Sequence, residues 1–182
     1  LATWAGCKVY GRPDPNVAHV EVSLVEDGEA GFKPDVLVND GDVFSGPDWT
    51  LEAITTPGHM SNHVCYALKE EAALFSGDHI MGWSTTVISP PDGNMRQYFA
   101  SLDKIRARGF STLWPTHGPP VTDVAPFIDA YATHRRAREA AILERIRAGD
   151  TLIPDMVKVI YKDVDKRLHA PAAHSVLAHV IQ

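Results

Sequence analysis

Three residues of the types that bind transition metals share one local setting in this chain. His59, Asp78 and His117 each lie at the end of an apolar, strand-like run and directly beside a glycine. Neutral imidazole and carboxylate groups are zinc ligands, and three protein ligands leave one coordination position open for water. Zinc lowers the pKa of such a water to about 7, which supports hydrolysis at neutral pH. A single histidine or aspartate at a strand end is usually a turn or cap residue, but three in the same setting favour a metal site.

A hairpin is the element that would bring these side chains together. Two short apolar runs, 64–68 and 72–76, flank a charged bend, which predicts a pair of antiparallel strands. The start of the first strand and the end of the second then lie at the same edge. The side chains gathered at that edge are His59, His63, Asp78 and His79.

The rest of the chain alternates strand and helix signals, which makes the fold class α/β. An Asp-Gly turn inside 35–44 predicts a second hairpin, and 49–55 alternates with a period of two. Residues 20–25 fit a strand or the edge of a helix. The irregular stretch 80–93 has apolar content that suits a pocket wall. The remaining elements are expected to be a strand at 8–10, a helix at 95–108, a strand at 111–115 and a long helix at 124–148, either continuous or interrupted near Thr133.

The tail has a different character and predicts a separate helical module. Residues 153–161 and 172–181 show helical spacing, and with the helix before Gly149 they suit a helix-turn-helix or winged-helix-like unit, or a plain helical cap. From Tyr131 onward there are 9 Lys/Arg and 6 Asp/Glu, against 8 and 17 in the remainder. We therefore divide the chain into 1–130 and 131–182. A basic stripe in the second unit would allow nucleic-acid binding, and its members are Arg135, Arg136, Arg138, Arg145 and Arg147.

Composition excludes some classes of protein. The formal net charge of −6 argues against polyanion binding by the whole chain, and no apolar run approaches the roughly 20 residues of a membrane span. Cys7 and Cys65 both lie in apolar runs, so we expect two buried thiols and a reducing, cytoplasmic location. The chain starts at Leu1 and stops within an apolar helical pattern, so both ends are expected to be cut.

Three short motifs resemble the later motifs of the metallo-β-lactamase superfamily and occur in the same order. They are Thr56-Pro-Gly-His59, Phe75-Ser-Gly-Asp-His79 and Pro115-Thr-His-Gly118. Further segments narrow the resemblance to the group of β-lactamase-like protein 2, in which a winged-helix-like domain follows the core. These segments are Met81-Gly-Trp83, Ser89-Pro-Pro-Asp-Gly93 and Ile160-Tyr-Lys-Asp163.

The resemblance implies an αββα sandwich, of which this chain holds mainly the second half. By motif match, His59 would bind a first zinc, Asp78 would bridge two zincs and serve as the catalytic carboxylate, and His117 would bind the second zinc. The family's earlier His-x-His-x-Asp-His motif is absent, and no His-x-His occurs in the sequence. We therefore expect a zinc hydrolase in the full-length protein, with an ester, thioester or phosphodiester substrate, RNA included. This chain by itself is expected to hold part of the binuclear site and to be weak or inactive.

The other candidate residues have less specific interpretations. His63 is expected to have a structural role or to line the site, and His79 to lie behind the ligands or to face solvent. Trp83 would contact substrate or pack under its loop. The tail histidines are assigned to core or surface. A further alternative is a non-catalytic fragment that aggregates or forms a homo-oligomer through apolar surface left open by the missing half-sandwich.

Overall fold

A five-stranded sheet forms the centre of the computed structural model, which describes residues 2–13 and 32–182. Its strands are β3 (Val43–Ser45), β4 (Thr50–Thr55), β5 (Val64–Leu68), β6 (Ala73–Gly77) and β7 (Thr112–Pro115), in that spatial order. The first four strands are antiparallel, and β7 runs parallel to β6. A separate two-stranded parallel sheet pairs β1 (Tyr10–Gly11) with β2 (Val36–Leu37), after a short helix α1 (Ala2–Ala5). The expected strands at 49–55 and 111–115 are therefore present, and the strand expected at 8–10 is displaced to the two residues of β1.

The hairpin that carries the candidate metal ligands is confirmed. Tyr66 lies opposite Phe75, and Leu68 lies opposite Ala73. One edge of this hairpin therefore holds the residues just before β5 together with those just after β6, as the sequence predicted. Because β7 is parallel to β6, its final residues reach the same edge.

The second expected hairpin, at 35–44, is wrong. β2 pairs with β1, and β3 pairs with β4, so the two halves of the supposed hairpin lie in different sheets. The turn between them bonds to β4 instead: the Gly41 amide donates to the Ala53 carbonyl at 2.8 Å, and the Ala53 amide donates to the Asp42 carbonyl at 2.8 Å. The stretch at 20–25 lies outside the described residues.

Helices cover one face of the five-stranded sheet. Helix α2 (Met95–Arg106) begins at Asn94, whose side chain accepts a hydrogen bond from the Gln97 amide at 3.0 Å. Its buried residues recur at helical spacing and pack with inward-facing residues of β6 and β7 in one apolar core. The residues of this helix in the core are Met95, Tyr98, Leu102 and Ile105.

Helix α3 (Val124–Arg147) is continuous through Thr133, which decides between the two alternatives for this helix. Its first half, through Ile128 and Tyr131, packs in the main core, and Ile142 near its other end packs with α4 (Ile153–Ile160) and α5 (His169–Val180) in a second core. A short 3-10 helix (Lys166–Leu168) joins α4 to α5. The division at residues 130 and 131 stays a prediction, since one helix crosses it and contributes to both cores.

The other face of the sheet presents aromatic side chains. Tyr66, Phe75 and Trp114 are register partners across β5, β6 and β7, which places them on one face. Phe75 and Trp114 are 44% and 45% exposed. This face therefore leaves apolar surface open, and the non-catalytic alternative stays a prediction.

The two cysteines differ in their exposure. Cys65 is buried as expected, but Cys7 is exposed, because it follows the short N-terminal helix rather than entering a packed strand. None of the helices in residues 2–13 and 32–182 combines the length and apolarity needed to cross a membrane.

Candidate metal centre at the edge of the sheet

Asp78 and His117 lie side by side at the ends of β6 and β7. The Nε2 atom of His117 is 3.5 Å from the Oδ1 atom of Asp78. That Oδ1 atom is buried and makes no hydrogen bond with any described residue. A buried carboxylate oxygen without a donor is uncommon and is typical of a position that takes a cation or a water. The pair therefore offers one free carboxylate oxygen and one imidazole to the same point.

A backbone contact between two loops holds His117 in place. The Gly82 amide donates to the His117 carbonyl at 2.8 Å. The loops touch so closely that a Cβ atom on Gly82 would lie 2.3 Å from the carbonyl oxygen of Pro119, so only glycine fits there. The contact also places the indole of Trp83 parallel to the His117 ring, at 6.3 Å between centroids and an interplanar angle of 3°. Trp83 is 72% exposed, so it does not pack under its loop.

His59 is oriented by the opposite end of the same irregular loop. Its Nδ1 atom lies 2.7 Å from the carbonyl oxygen of Val87, which can only accept, so Nδ1 carries the proton. In the neutral imidazole the lone pair is then on Nε2, which is the tautomer that a metal ligand at Nε2 needs. The loop at 80–93 thus contacts two of the three candidate ligands.

His63 contacts Asp78 through the backbone. Its Nε2 atom accepts a hydrogen bond from the Asp78 amide at 3.2 Å, and its Nδ1 atom lies 2.8 Å from the hydroxyl of Thr56. Burial, with a smaller contribution from the charge of His59, lowers the pKa of His63 to about 4. Both ring nitrogens are occupied within the protein, so His63 supports the edge.

His79 is fully buried, so the alternative in which it faces solvent is wrong. Its ring packs on Tyr98 at 4.8 Å between centroids, and the Tyr98 hydroxyl donates to the His79 carbonyl at 2.7 Å. Burial, and then the charges of His63 and His59, lower the pKa of His79 well below its ordinary value. The His79 side chain therefore lies in the core, while that of Asp78 lies at the edge beside His117.

The structure brings the predicted residues to one edge without closing a complete ligand shell. The rings of His59 and His63 are 6.4 Å apart, and those of His63 and His79 are 6.0 Å apart. Across residues 2–13 and 32–182, no three His, Cys, Asp or Glu side chains are close enough together to hold a metal ion. The donor types fit a transition metal: a free carboxylate oxygen on Asp78, a free Nε2 on His59, and the adjacent imidazole of His117.

Sequence reasoning misplaced one arginine and missed its role. Arg135, assigned to a basic surface stripe, is 3% exposed. Its Nη2 atom donates to the carbonyl of Thr86, and its guanidinium lies 5.0 Å from the centre of the Tyr98 ring. It thereby ties α3 to the loop at 80–93. The signal was in the sequence, because Arg135 shares helical spacing with the buried residues Ile128 and Ile142.

Two other arginines of the predicted basic stripe also have hydrogen-bond partners within the protein. Arg145 forms a two-bond ion pair with Asp150, at 2.7 and 2.9 Å. Arg138 donates to the Ile160 carbonyl at 2.9 Å. Among the remaining histidines, the Nδ1 atom of His174 lies 2.7 Å from the hydroxyl of Ser89, which joins α5 to the same loop.

These features define an α/β protein in which histidines and an aspartate meet at one edge of a mixed sheet. Residues 4–117 match the Metallo-beta-lactamase superfamily, and residues 153–181 match the Beta-lactamase associated winged helix domain. The chain belongs to the metallo-β-lactamase superfamily, and its tail is a winged-helix domain rather than a plain helical cap. Both parts of the resemblance seen in the sequence are thereby confirmed.

Individual relatives agree with this assignment. The chain is 33% identical over 141 residues to the Beta-lactamase-like protein 2 homolog of Caenorhabditis elegans, covering 77% of this chain and 46% of that protein. It is 28% identical over 191 residues to the Atrochrysone carboxyl ACP thioesterase of Aspergillus chevalieri, covering 97% and 60%. The chain thus spans about half the length of these relatives. The crystal structure of a metallo-beta-lactamase family protein from Thermus thermophilus has the same fold, with a TM-score of 0.77 at 18% identity over 98% of this chain and 67% of that one.

Proposed function

We propose that this chain contributes the Asp78 edge of a metal-dependent hydrolase acting on an ester, thioester or phosphodiester, with zinc as the metal. The observation that carries the proposal is the buried, unpartnered Oδ1 atom of Asp78, 3.5 Å from Nε2 of His117. The thioesterase named among the relatives adds support for an ester or thioester substrate. The two free thiols of the chain suit a cytoplasmic location.

Three side chains would hold the metal: His59, Asp78 and His117. When bound, the metal would supply a water nucleophile at neutral pH and stabilise negative charge on the substrate. The protein's own contribution is orientation. The Val87 carbonyl accepts from Nδ1 of His59, which in the neutral ring leaves the lone pair on Nε2. Because Trp83 is exposed beside His117, it is the surface on which the substrate would rest.

The test is metal binding by single-site variants of this chain. We expect His59→Ala, Asp78→Ala and His117→Ala each to weaken zinc binding by roughly 10- to 100-fold or more, since loss of a group that only supports a ligand already has an effect of that size. His134→Ala, which changes an exposed histidine on α3, is the matched control and should bind like the wild type. Elemental analysis of zinc and iron, with titration of Zn²⁺ against a chelating indicator, gives content and affinity. Equal zinc binding by all four variants would show that His59, Asp78 and His117 are not the metal ligands.

Nucleic-acid binding through the C-terminal domain is the second candidate. The winged-helix match at 153–181 favours it, while burial of Arg135 and pairing of Arg145 reduce the charge available. RNA affinity that falls steeply with salt, and that is lost in an Arg136→Glu, Arg147→Glu double variant, would support it. Homo-oligomer formation through the aromatic face of the sheet likewise stays a proposal, to be measured by analytical ultracentrifugation.

A further inference from the structure

A chain of hydrogen bonds leads from the backbone of Asp78 into the protein interior. The Asp78 amide is 3.2 Å from Nε2 of His63, and Nδ1 of His63 is 2.8 Å from the Thr56 hydroxyl. That hydroxyl is 3.2 Å from the Cys65 sulfur, which is 3.4 Å from the Ser76 carbonyl oxygen. The four contacts link the turn before β5, strand β5 itself and the end of β6.

Only one placement of protons satisfies every contact. The Asp78 amide can only donate, so Nε2 of His63 is the acceptor and Nδ1 holds the proton. The Thr56 oxygen accepts a hydrogen bond from Nδ1–H, and the Thr56 hydroxyl donates to the Cys65 sulfur. The Cys65 thiol donates to the Ser76 carbonyl, which can only accept. Burial raises the pKa of Cys65 to about 12, so the thiol keeps its proton. A network in which each member has its partner is rigid.

The geometry around Gly77 shows where this rigidity acts. A Cβ atom placed on Gly77 would lie 2.7 Å from Nε2 of His63. The imidazole therefore fills the space directly against the peptide that joins Gly77 to Asp78. Rotation of that peptide would break the hydrogen bond to His63 and would swing the Asp78 carboxylate away from His117.

We propose that His63 is a positioning residue that acts through its neutral Nε2 atom: it fixes the Gly77–Asp78 peptide and thereby directs the Asp78 carboxylate toward His117. Thr56 accepts from the Nδ1–H group at the other end of the ring, and Cys65 accepts in turn from Thr56, which holds the imidazole in this orientation. The effect on the backbone is independent of metal. Its consequence for metal affinity rests on the proposed function, in which Asp78 is a ligand.

Two substitutions at position 63 distinguish the hydrogen bond made by Nε2 from the one made by Nδ1. His63→Gln places a carbonyl oxygen close to the position of Nε2 and can still accept from the Asp78 amide. His63→Asn is shorter, keeps a polar group near Thr56 and cannot reach that amide. In metal-free protein we expect hydrogen exchange of the Asp78 amide to be about tenfold faster in His63→Asn than in His63→Gln, since one partly buried hydrogen bond is lost. Equal exchange in the two variants would overturn the inference.

The same pair tests the consequence for the metal. Zinc affinity should fall by roughly 10- to 100-fold in His63→Asn and remain near the wild-type value in His63→Gln. Asp78→Ala is measured in parallel. If Asp78→Ala leaves zinc affinity unchanged, the proposed function fails, while the exchange result still decides the role of His63. If Asp78→Ala loses zinc and His63→Asn does not, the role of His63 fails and the metal site stands.

Variants of Thr56 test the same hydrogen bonds if the His63 variants fail to fold. Thr56→Val removes the hydroxyl with little change of shape, and Thr56→Ser retains it. Nitrogen NMR of the His63 ring should show the Nδ1-protonated tautomer alone in the wild type and in Thr56→Ser, and also in Thr56→Val, because the Asp78 amide still needs an acceptor at Nε2. A ring protonated at Nε2 in any of the three proteins would overturn the inference.

Discussion

Replacing Gly77 with alanine perturbs the candidate centre through the backbone alone. Gly77 has a φ angle of +54°, a conformation that residues with a Cβ atom rarely adopt. The added methyl group would also lie 2.7 Å from Nε2 and 3.0 Å from Cε1 of His63. Because His63 is held by Thr56 and by the Asp78 amide, it cannot move aside without losing hydrogen bonds. Gly77→Ala should therefore destabilise the protein in two ways, through backbone strain at residue 77 and through steric overlap with His63.

Gly109 provides a matched control for the backbone strain. It has a φ angle of +67°, and a Cβ atom there would meet nothing within 4 Å. Gly109→Ala should lower the free energy of unfolding by about 1 kcal/mol, the cost of the left-handed conformation. Gly77→Ala should lower it by this amount plus the roughly 1–3 kcal/mol of an overpacked site, which is about 2–4 kcal/mol in all.

The assay is urea denaturation followed by far-UV circular dichroism and by tryptophan fluorescence, analysed by linear extrapolation. Coincident transitions from the two probes would justify a two-state treatment of a chain with two cores. The difference between the two variants measures the clash with His63. If both variants lose the same free energy, the imidazole is free to move, and the close packing of His63 against Gly77 is incorrect.

Two further predictions concern thiols and acid stability. In the native protein at neutral pH, only Cys7 should react with a thiol reagent, because Cys65 is buried and burial raises its pKa to about 12. Cys65 should react only after unfolding. Rapid reaction of both cysteines in the native protein would contradict this prediction. Both Glu52 oxygens lie 2.8 Å from the guanidinium of Arg108, and this pairing lowers the pKa of Glu52 below its ordinary value of 4.5. The ion pair therefore contributes its full stabilisation above about pH 4.5, the pKa of Glu52 in the unfolded chain. That stabilisation is lost as the pH falls through the lower pKa of Glu52 in the folded protein. In Glu52→Gln, the free energy of unfolding should therefore fall less steeply below pH 4.5. Glu71→Gln, at an exposed carboxylate, is the control and should leave that slope unchanged.

Local patterns were enough to predict most elements of this fold. The alternation in β4, the paired apolar runs of β5 and β6 and the helical spacing of α2 each have one simple interpretation, and the structure contains all of them. The hairpin predicted at 35–44 is wrong because a turn signal does not identify the partner strand. Gly41 and Asp42 do form the turn, but their backbone groups bond to Ala53.

Burial of single residues was the weakest part of the sequence reasoning. Arg135 was placed on the surface because arginine usually lies there, yet it is covered by the loop at 80–93 and by Tyr98. Burial of Cys7 was expected because it lies in an apolar run, yet Cys7 is exposed. Average preferences of residue types cannot show which loop folds over which helix.

The sequence alone determined which residue types are available for chemistry and that a hairpin would bring them to one edge, because strand periodicity and residue identity are local properties. Only the tertiary structure decided that the Asp78 carboxylate lies beside His117, that the Val87 carbonyl sets the tautomer of His59, and that His63 holds the Asp78 peptide. Each of these contacts joins residues 15 to 39 positions apart. Their geometry follows from packing and from the parallel pairing of β6 with β7, which no local pattern specifies.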